Sequence, residues 1–360
     1  MNVSEELLNY PLVSVIIITK DRRDDLKKAI QSLQELDYPL DRLEVVVVEE
    51  ADEPAEVEGV EYIFIPRMNK GFGYARNIGI KNAKGEIIAF TDDDCIVEKN
   101  WLRELAKPFQ DDKVMGVAGG VLVRDCNLIG YAENILGFPG GGIRRIYQSR
   151  NKVIPIKCLS TCNCAYRKKV FDEFGLFNER TKYSGEDYLF AEKAVTKYRC
   201  LYNPAAIVYH KPRGRLRGVF KWFVRRGISD VLMLKEIRGA KGARHLLMIL
   251  KNSLIIRFSV LVILISLAGL SIVVYPLLFL AYYFYLFLRE RFSYEIYADF
   301  KYGVPRRLFR YGVPHSNESE YTKCRGKDSQ LLWLVPIVKI VMDLGMEWGR
   351  IKGLFLYWGD

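Results

Sequence analysis

Short apolar runs alternate with other stretches through the first 120 residues of the chain. Four runs predict buried strands: Val13–Ile18, Leu43–Val48, Val60–Ile65 and Ile87–Phe90. Three stretches predict helices: Arg23–Leu36, Tyr74–Ala83 and Trp101–Phe109. Continuous apolar strands separated by helices are typical of a mostly parallel sheet that is covered on both faces. The pattern therefore predicts an α/β domain, which we place at residues 1–212.

Acidic residues follow three of these strands. Asp21 comes after the first, Glu49 and Glu50 after the second, and the run Asp92-Asp93-Asp94 after the fourth. Ligands of parallel sheets bind beyond the carboxyl ends of the strands. Three adjacent carboxylates at such a place indicate a site for Mg²⁺ or Mn²⁺ that bridges to substrate phosphates. The alternative is an acidic turn that caps the next helix.

A glycine-containing loop runs from Met68 to Gly79. Its glycines would let the backbone approach a ligand, and Arg76 offers a guanidinium suited to a diphosphate. A dinucleotide-binding fingerprint would instead follow the first strand. That position reads Lys20-Asp21-Arg22 without glycine, which argues against a dinucleotide-binding oxidoreductase.

The second part of the chain is hydrophobic and basic. Phe258 to Leu288 is a stretch of 31 residues without a formal charge, flanked on both sides by Lys and Arg. About 20 apolar residues span a bilayer, and basic flanks prefer the cytoplasmic side. We therefore predict a transmembrane or re-entrant hairpin over residues 254–288, turning near Gly269 to Pro276. A buried core hairpin of a soluble protein is the alternative.

Amphipathic segments flank this predicted hairpin. In Leu216–Leu234 apolar residues alternate with basic ones, which predicts interfacial helices over residues 213–253. Arg225 and Arg226 in this stretch are candidates for contact with a phosphate of the donor or of a lipid acceptor. Residues 289–360 form a predicted cytoplasmic or interfacial region, whose apolar segment is interrupted by Pro336.

Composition supports this division. With 50% hydrophobic residues, the chain is neither disordered nor a small disulfide-stapled domain. Residues 1–210 carry 29 Lys and Arg against 32 Asp and Glu, whereas residues 211–360 carry 25 against 11. Because the basic charge surrounds the predicted membrane segment, it does not indicate a nucleic-acid groove.

The amino terminus and the cysteines predict a cytoplasmic domain. No apolar stretch precedes Pro11, so we expect no signal peptide. The seven cysteines form no regular framework. Cys158, Cys162 and Cys164 lie close together in sequence, but without a paired C-x-x-C or a nearby His they predict small buried residues rather than a zinc site.

Several motifs together resemble the family 2 glycosyltransferases, which have a GT-A fold. They are VSVIIITKDR, NKGFGYARNIGI, GEIIAFTDDDC, STCNCAYRKKVFDEFGLFNE, SGEDYLF and VYHKP, spread over roughly residues 12–212. The resemblance implies transfer of a sugar from a nucleotide-diphosphate donor, with inversion at the anomeric carbon and help from a divalent ion. The Gln-x-x-Arg-Trp motif of the processive synthases is absent from the sequence, which predicts non-processive transfer.

The resemblance also implies roles for individual donor-side residues. Thr19 and Asp21 would contact the nucleoside, and Glu50 would hold the base. The family usually has Asp-Asp-Gly-Ser where this chain has Glu49-Glu50-Ala51-Asp52, so the base stays open between UDP- and GDP-type donors. Arg76 would face the phosphates. Asp94 and Asp92 would hold Mn²⁺ or Mg²⁺, and Asp93 or Asp92 would contact the donor.

Further residues are implied on the acceptor side. Asp187 matches the general base that takes the proton of the acceptor hydroxyl, and Glu186 would orient it or bind acceptor. His210 resembles a histidine that completes the metal site or touches the diphosphate. Asn163 and Arg167 lie in the stretch that lines the acceptor side.

These observations predict a metal-dependent, inverting hexosyltransferase of glycan biosynthesis, at the cell membrane with its catalytic domain on the cytoplasmic face. A lipid-linked acceptor is expected, as in protein N-glycosylation or surface polysaccharide assembly. The alternatives are a polyprenyl- or dolichyl-phosphate sugar synthase and, in other classes, a nucleotidyltransferase or a non-catalytic sugar-nucleotide binder.

Overall fold

The computed structural model describes residues 10–182, 184–237, 239–267, 274–302 and 318–357. These form two compact units. The sheet unit contains the described residues up to 124, together with 139–182 and 186–211. The helical unit contains 125–138, 184–185 and the described residues from 212 onward.

A mixed sheet of nine strands forms the sheet unit. The strands are β1 (Val13–Thr19), β2 (Leu43–Ala51), β3 (Glu61–Pro66), β4 (Ile87–Asp92), β5 (Cys95–Val97), β6 (Val114–Leu122), β7 (Ile154–Pro155), β8 (Asn163–Arg167) and β9 (Arg199–His210). The order is β3-β2-β1-β4-β8-β6-β9-β5, with β7 paired to β9. The pairs β3–β2, β2–β1, β1–β4 and β6–β9 are parallel, and the others are antiparallel.

Helices of the sheet unit accompany this sheet. They are α1 (Arg23–Gln34), α2 (Phe72–Asn82), α3 (Trp101–Ala106), α5 (Gly142–Ser149), α6 (Lys168–Phe174) and α7 (Glu186–Lys197), with α4 (Leu128–Ile135) belonging to the helical unit. Helix α1 buries Leu26, Ala29, Ile30 and Leu33, which the helical period places on one face. The predicted α/β domain with a mostly parallel arrangement of its first four strands is confirmed.

The helical unit combines α4 with five later helices. These are α8 (Leu216–Glu236), α9 (Gly239–Asn252), α10 (Leu254–Leu267), α11 (Val274–Tyr302) and α12 (Glu318–Tyr357). Helix α12 continues through Pro336, so the interruption expected at this proline does not occur. Val335, Val338 and Met342 around it are buried, and this packing offsets the hydrogen bond that proline cannot donate.

Among the described residues, no helix combines the length and the apolar character needed to cross a bilayer. The expected transmembrane crossing is therefore not supported. The described part of the uncharged stretch from Phe258 to Leu288 lies in the 14-residue α10 and in the first part of α11. Most of the turn predicted near Gly269 to Pro276 lies outside the described residues.

Helices α8 and α12 approach each other closely at glycines. A side chain at Gly349 would collide with the carbonyl oxygen of Val224, and one at Gly345 would come within 2.7 Å of the carbonyl oxygen of Phe220. Arg350 also donates to the buried Asp230 carboxylate, at 2.8 and 3.0 Å. The two helices are thus held together by backbone contact and by a partly buried ion pair.

Gly349→Ala is expected to destabilise the helical unit, because its methyl group has no room against α8. Overpacking of this kind costs roughly 1–3 kcal/mol. The matched control is Gly218→Ala in α8, where an added Cβ meets nothing closer than 3.5 Å. Thermal melts of both variants check this: the first should melt several degrees lower, and the control should melt at or above the wild-type temperature. Equal melting temperatures would contradict the close packing.

Candidate active site

The carboxyl ends of β1, β2 and β4 meet at one edge of the sheet. Thr19 pairs in register with Glu49, and Ile18 pairs with Asp92. Because these strands are parallel, the polar residues at their ends converge. The predicted gathering of Thr19, Glu50 and the aspartate run at this edge is therefore observed.

Asp93 is the most buried of the three consecutive aspartates. Its Oδ2 accepts a hydrogen bond from the Thr19 hydroxyl at 2.7 Å, and its Oδ1 lies 3.0 Å from Arg22 Nη2. Burial raises the pKa of this carboxyl to about 7, against the attraction of Arg22. Thr19 therefore supports the acidic turn from within.

Asp92, Asp94 and His210 form a candidate cation site together with Cys95. One ligand atom from each of the four lies within 4.8 Å of the others. His210 Nε2 is 3.3 Å from Asp94 Oδ1 and 4.0 Å from Asp92 Oδ2. Strand β5 brings the histidine there, because Cys95 pairs in register with His210 at the end of β9.

The donor set fits a divalent ion. His210 is buried, and its Nδ1 has no hydrogen-bond partner within the described residues. Two carboxylates converge on the other ring nitrogen, Nε2, an arrangement that a cation between them would stabilise. Carboxylate oxygens with one imidazole suit Mn²⁺ and also allow Mg²⁺.

Arg76 lies between the candidate cation site and the start of α7. It is only 5% exposed, and its guanidinium donates to Glu186 Oε1 at 2.5 Å and to Asp92 Oδ1 at 3.2 Å. The resemblance assigned this arginine to the donor phosphates. The structure shows it engaged with two carboxylates, one in the cation site and one beside the candidate base.

Glu186 and Asp187 begin α7. Asp187 is partly exposed; its Oδ1 accepts from the backbone N–H of Tyr188 at 2.8 Å and its Oδ2 from that of Thr161 at 3.4 Å. Glu186 is buried, and burial outweighs the attraction of Arg76, raising the pKa of its carboxyl to about 7. The neighbouring acids thus have different environments: one is buried and ion-paired, the other is accessible.

Glu186 is expected to make the stability of the protein fall as pH rises from about 4.5 to 7. The carboxyl of Glu186 binds its proton more tightly in the folded state than in the unfolded state. Its contribution to the free energy of unfolding is therefore complete below the pKa of the unfolded state, and it is lost as pH rises through the pKa of the folded state. The full effect is at most about 3 kcal/mol. The test compares the free energies of unfolding of wild type and of Glu186→Gln at pH 5 and pH 7.5. The variant should lack the part of the pH-dependent decrease that comes from Glu186. Parallel pH profiles would contradict the raised pKa.

Basic side chains pair with both acids that are predicted to contact the nucleoside, Asp21 and Glu50. Arg67 donates to both oxygens of Asp21, at 2.7 and 2.8 Å, and also to Asp52. Glu50 accepts from Lys20 Nζ at 2.9 Å and from the backbone N–H of Asn69 at 2.8 Å. These bonds hold the pKa of the Glu50 carboxyl below its usual range, despite partial burial. Both predicted acids are therefore fixed as carboxylates.

An open cavity of about 700 Å³ lies beside these groups. Its charged lining includes Asp21, Arg22, Arg23, Asp52, Arg67 and Lys211. Sequence reasoning did not single out Arg22 or Arg67. Their signal was position: one follows the first strand, and the other follows the third.

Of the two residues predicted on the acceptor side of β8, the structure places Asn163 at the site end of the strand, where it pairs in register with Thr91. Asn163 is buried, and its amide accepts from Trp101 Nε1 at 2.9 Å and donates to the carbonyl oxygens of Gly120 and Ala206, both at 2.8 Å. These bonds tie β8 to its neighbours and leave the amide committed internally. The expectation of an acceptor contact is corrected accordingly.

Arg167 lies at the opposite end of the strand from the site. Since β8 is antiparallel to β4, Arg167 pairs in register with Ile87, the first residue of β4. Its guanidinium donates to the carbonyl oxygens of Phe109 and Val114. The direction of β8, which the sequence did not indicate, is the reason for this second correction.

Arg225 and Arg226 belong to α8 of the helical unit. Arg225 is exposed, whereas Arg226 is half-buried, with its guanidinium carbon 4.8 Å from the ring centre of Trp222 and 5.1 Å from that of Phe138. Arg213 lies over the same Trp222 ring at 3.9 Å. The two predicted residues therefore have unlike surroundings, one solvated and one packed on aromatic rings.

The glycine-containing loop packs against the chain itself. Gly71 has a φ of +96°, and a Cβ there would lie 2.7 Å from the backbone of Lys182. A Cβ at Gly73 would lie 2.7 Å from the carbonyl oxygen of Asn178. These glycines permit close approach of residues 178–182 rather than of a ligand.

The predicted character of the cysteine cluster is confirmed for two of its members. Cys162 and Cys164 are buried, and burial raises the pKa of both thiols. Cys158 is partly exposed. Among the described residues, the three belong to no group with the spacing of a metal site.

Comparison with known proteins agrees with this architecture. The profile described as Glycosyl transferase family 2 matches residues 14–175. A glucosyl-dolichyl phosphate glucuronosyltransferase of Haloferax volcanii is 25% identical over 244 residues, covering 59% of this chain and 72% of that protein. The glycosyltransferase AglE of the same organism is 27% identical over 194 residues, covering 51% and 62% respectively.

A solved structure shares the fold over most of both chains. It is the mannosyltransferase PcManGT of Pyrobaculum calidifontis in complex with GDP-Man and Mn²⁺, with a TM-score of 0.54 and 16% identity over 97% of this chain and 89% of that one. At that identity the likeness concerns the fold alone, and it supports the expected GT-A-type architecture. Residues 14–175, with the acidic strand ends described above, therefore belong to glycosyl transferase family 2.

Proposed function

We propose that the protein is an inverting, non-processive, metal-dependent hexosyltransferase of glycan assembly, which transfers a sugar from a UDP- or GDP-sugar to a lipid-linked acceptor. The observation that carries this proposal is the convergence of Asp92, Asp94 and His210 within reach of one ion, with Arg76 linking Asp92 to Glu186 beside Asp187. A nucleotidyltransferase would not need the pair Glu186-Asp187.

Asp187 is suited to take the acceptor proton. Its carboxylate is partly exposed and is oriented by two backbone N–H groups. Inverting displacement needs one base on the acceptor side, because the hydroxyl attacks from the face opposite to the leaving diphosphate. Glu186 is buried against Arg76, so its part is to position the start of α7 rather than to react.

Asp92, Asp94 and His210 would hold Mn²⁺ or Mg²⁺. When bound, the ion would neutralise the charge that develops on the leaving diphosphate. Thr19 keeps Asp93 in place beneath this site, and Glu50 and Asp21 are held by Lys20 and Arg67 where the nucleoside is expected. The protein groups are thus arranged before the donor arrives, which lowers the reorganisation needed for transfer.

The test is a thermal-shift screen of the purified chain with UDP-, GDP- and TDP-sugars, each with Mn²⁺ or with EDTA. A ligand that binds the folded state raises the melting temperature by mass action, so no acceptor is required. One nucleotide that stabilises only with metal is the expected result. A screen in which no donor stabilises the protein would contradict the proposal.

We also propose that the helical unit binds a membrane surface and that the sheet unit works on its cytoplasmic face. Helices α9 and α10 expose large apolar side chains: Leu246, Leu247, Met248, Leu250, Ile255, Ile256, Val260 and Ile263. Basic residues accompany them: Lys241, Arg244, Lys251 and Arg257. Exposed apolar side chains combined with basic ones are typical of interfacial helices on anionic lipid.

Flotation with vesicles of anionic and of neutral lipid tests this surface. Leu247 is 65% exposed on α9, and Leu247→Glu should release the protein from anionic vesicles. The matched control is Leu40→Glu, at an equally exposed leucine of the sheet unit (73%), which should float like wild type. If wild type fails to float, or if both variants behave alike, the proposed surface is wrong. Lipids extracted from membranes of the source organism then supply acceptors for a transfer assay.

A further inference from the structure

Arg22 lies at the end of β1, directly before α1, and faces the acidic turn. Its guanidinium donates to Asp94 Oδ2 at 2.5 Å and lies 3.0 Å from Asp93 Oδ1. The arginine side chain is 46% exposed, and it lines the open cavity together with Arg23, Arg67 and Lys211. Arg22 therefore stands between the aspartates and the space where we expect the donor.

Asp94 is shared between this arginine and the candidate cation site. One carboxylate oxygen faces Arg22, and the other lies 3.3 Å from His210 Nε2. A guanidinium this close opposes the entry of a divalent cation, because like charges repel strongly at a partly buried site. At the same time the guanidinium balances the carboxylates while no cation is bound.

We infer that Arg22 acts as an exchangeable counter-ion that makes metal binding and nucleoside-diphosphate binding depend on each other. This inference rests on the function proposed above. When a diphosphate enters the cavity, it offers the guanidinium an anion of greater charge that can accept two parallel hydrogen bonds, whereas Asp94 accepts one. The released Asp94 oxygen then faces the metal instead. Each ligand thus removes the obstacle to the other, which is positive coupling between two sites.

Two features of the surroundings support the exchange. Arg22 is half exposed and can turn toward the cavity, whereas Arg76, the other arginine beside the aspartates, is buried between Asp92 and Glu186. Arg67 and Arg23, which also line the cavity, are bound by Asp21 and by Glu49, away from the cation site. Arg22 thus contacts Asp94 and also lines the cavity.

The experiment measures free Mn²⁺ by electron paramagnetic resonance during titration of the full chain, alone and with saturating UDP or GDP. Wild type should bind Mn²⁺ weakly alone and at least tenfold more tightly with the stabilising nucleotide. Arg22→Gln should bind Mn²⁺ alone about tenfold more tightly than wild type, because the repelling charge is gone. Its gain from the nucleotide should shrink by about the same factor, since coupling is reciprocal.

Two further variants keep the result specific. Arg22→Lys retains the charge and should stay near wild type for Mn²⁺ alone. Arg42→Gln removes an exposed arginine that pairs with Asp41 just before β2, and it should match wild type throughout. Equal Mn²⁺ affinity and equal nucleotide gain in wild type and Arg22→Gln would overturn the inference while leaving the proposed function standing. Absence of Mn²⁺ binding in every protein would overturn the metal site itself, and this inference with it.

Discussion

Asp187→Asn is expected to lower sugar transfer by about a thousandfold while donor affinity changes by less than about twofold. The amide has nearly the same shape as the carboxylate but cannot accept the acceptor proton, and general bases contribute roughly 10²–10⁴-fold to rate. Donor binding should survive because Asp187 is not among the residues that converge on the candidate ion.

The measurement combines transfer to lipid extract with nucleotide thermal shifts on the same preparation. Asp172→Asn is the control, because Asp172 is an exposed acid on α6 of the same unit. It should retain full transfer. Turnover retained by Asp187→Asn would reassign the base, with Glu186 as the next acid to test. Loss of donor binding together with transfer would instead point to misfolding of the start of α7.

The strand ends that carry the site could be predicted because their signal is local. The runs that became β1, β2 and β4 are mostly apolar, and an acidic residue follows each within three positions. Parallel strands bring such ends to one edge whatever the rest of the chain does. Thr19, Glu50 and the aspartate run therefore follow from the sequence pattern, and the family resemblance then gave them expected roles.

The corrected residues depend on strand direction and packing, which have no local signal. Arg167 was misplaced because β8 runs antiparallel to β4, whereas Asn163 lies at the site end of β8 but its amide is used between strands. The proximity of His210 to Asp94 depends on the pairing of β5 with β9, some 115 positions apart in sequence. Only the resemblance, not periodicity, suggested that contact.

The helical unit was harder to predict for a different reason. It joins residues 125–138 to the chain beyond residue 212, although a long part of the sheet unit lies between them in sequence. Apolar residues of α12 that face α8 have the same sequence pattern as residues that would face lipid. Composition therefore indicated a hydrophobic region, but it did not show which helix faces are packed and which are exposed.

Asp94→Ala is expected to weaken metal-dependent donor binding. Asp94 is one of the three residues that would bind the ion through carboxylate or imidazole atoms. Without Asp94, the positive charge of Arg22 loses a partner and repels the cation. At a ligand concentration of a hundred times the dissociation constant, binding stabilises a protein by about 2.7 kcal/mol, so the loss is readily seen as a missing thermal shift. Mn²⁺ affinity should fall at least about a hundredfold.

The control is Asp112→Ala, whose side chain is 98% exposed and pairs with Arg167 away from the site. It should keep the full metal-dependent shift. The two variants separate a missing ligand from a general change in charge, because each removes one negative charge from the same unit. If Asp94→Ala keeps its Mn²⁺ affinity, Asp92 and His210 hold the ion without it, and the role of Arg22 at Asp94 becomes structural. If the variant loses Mn²⁺ but still binds nucleotide with EDTA present, Thr19, Asp21 and Glu50 carry donor recognition and the ion serves the leaving group alone.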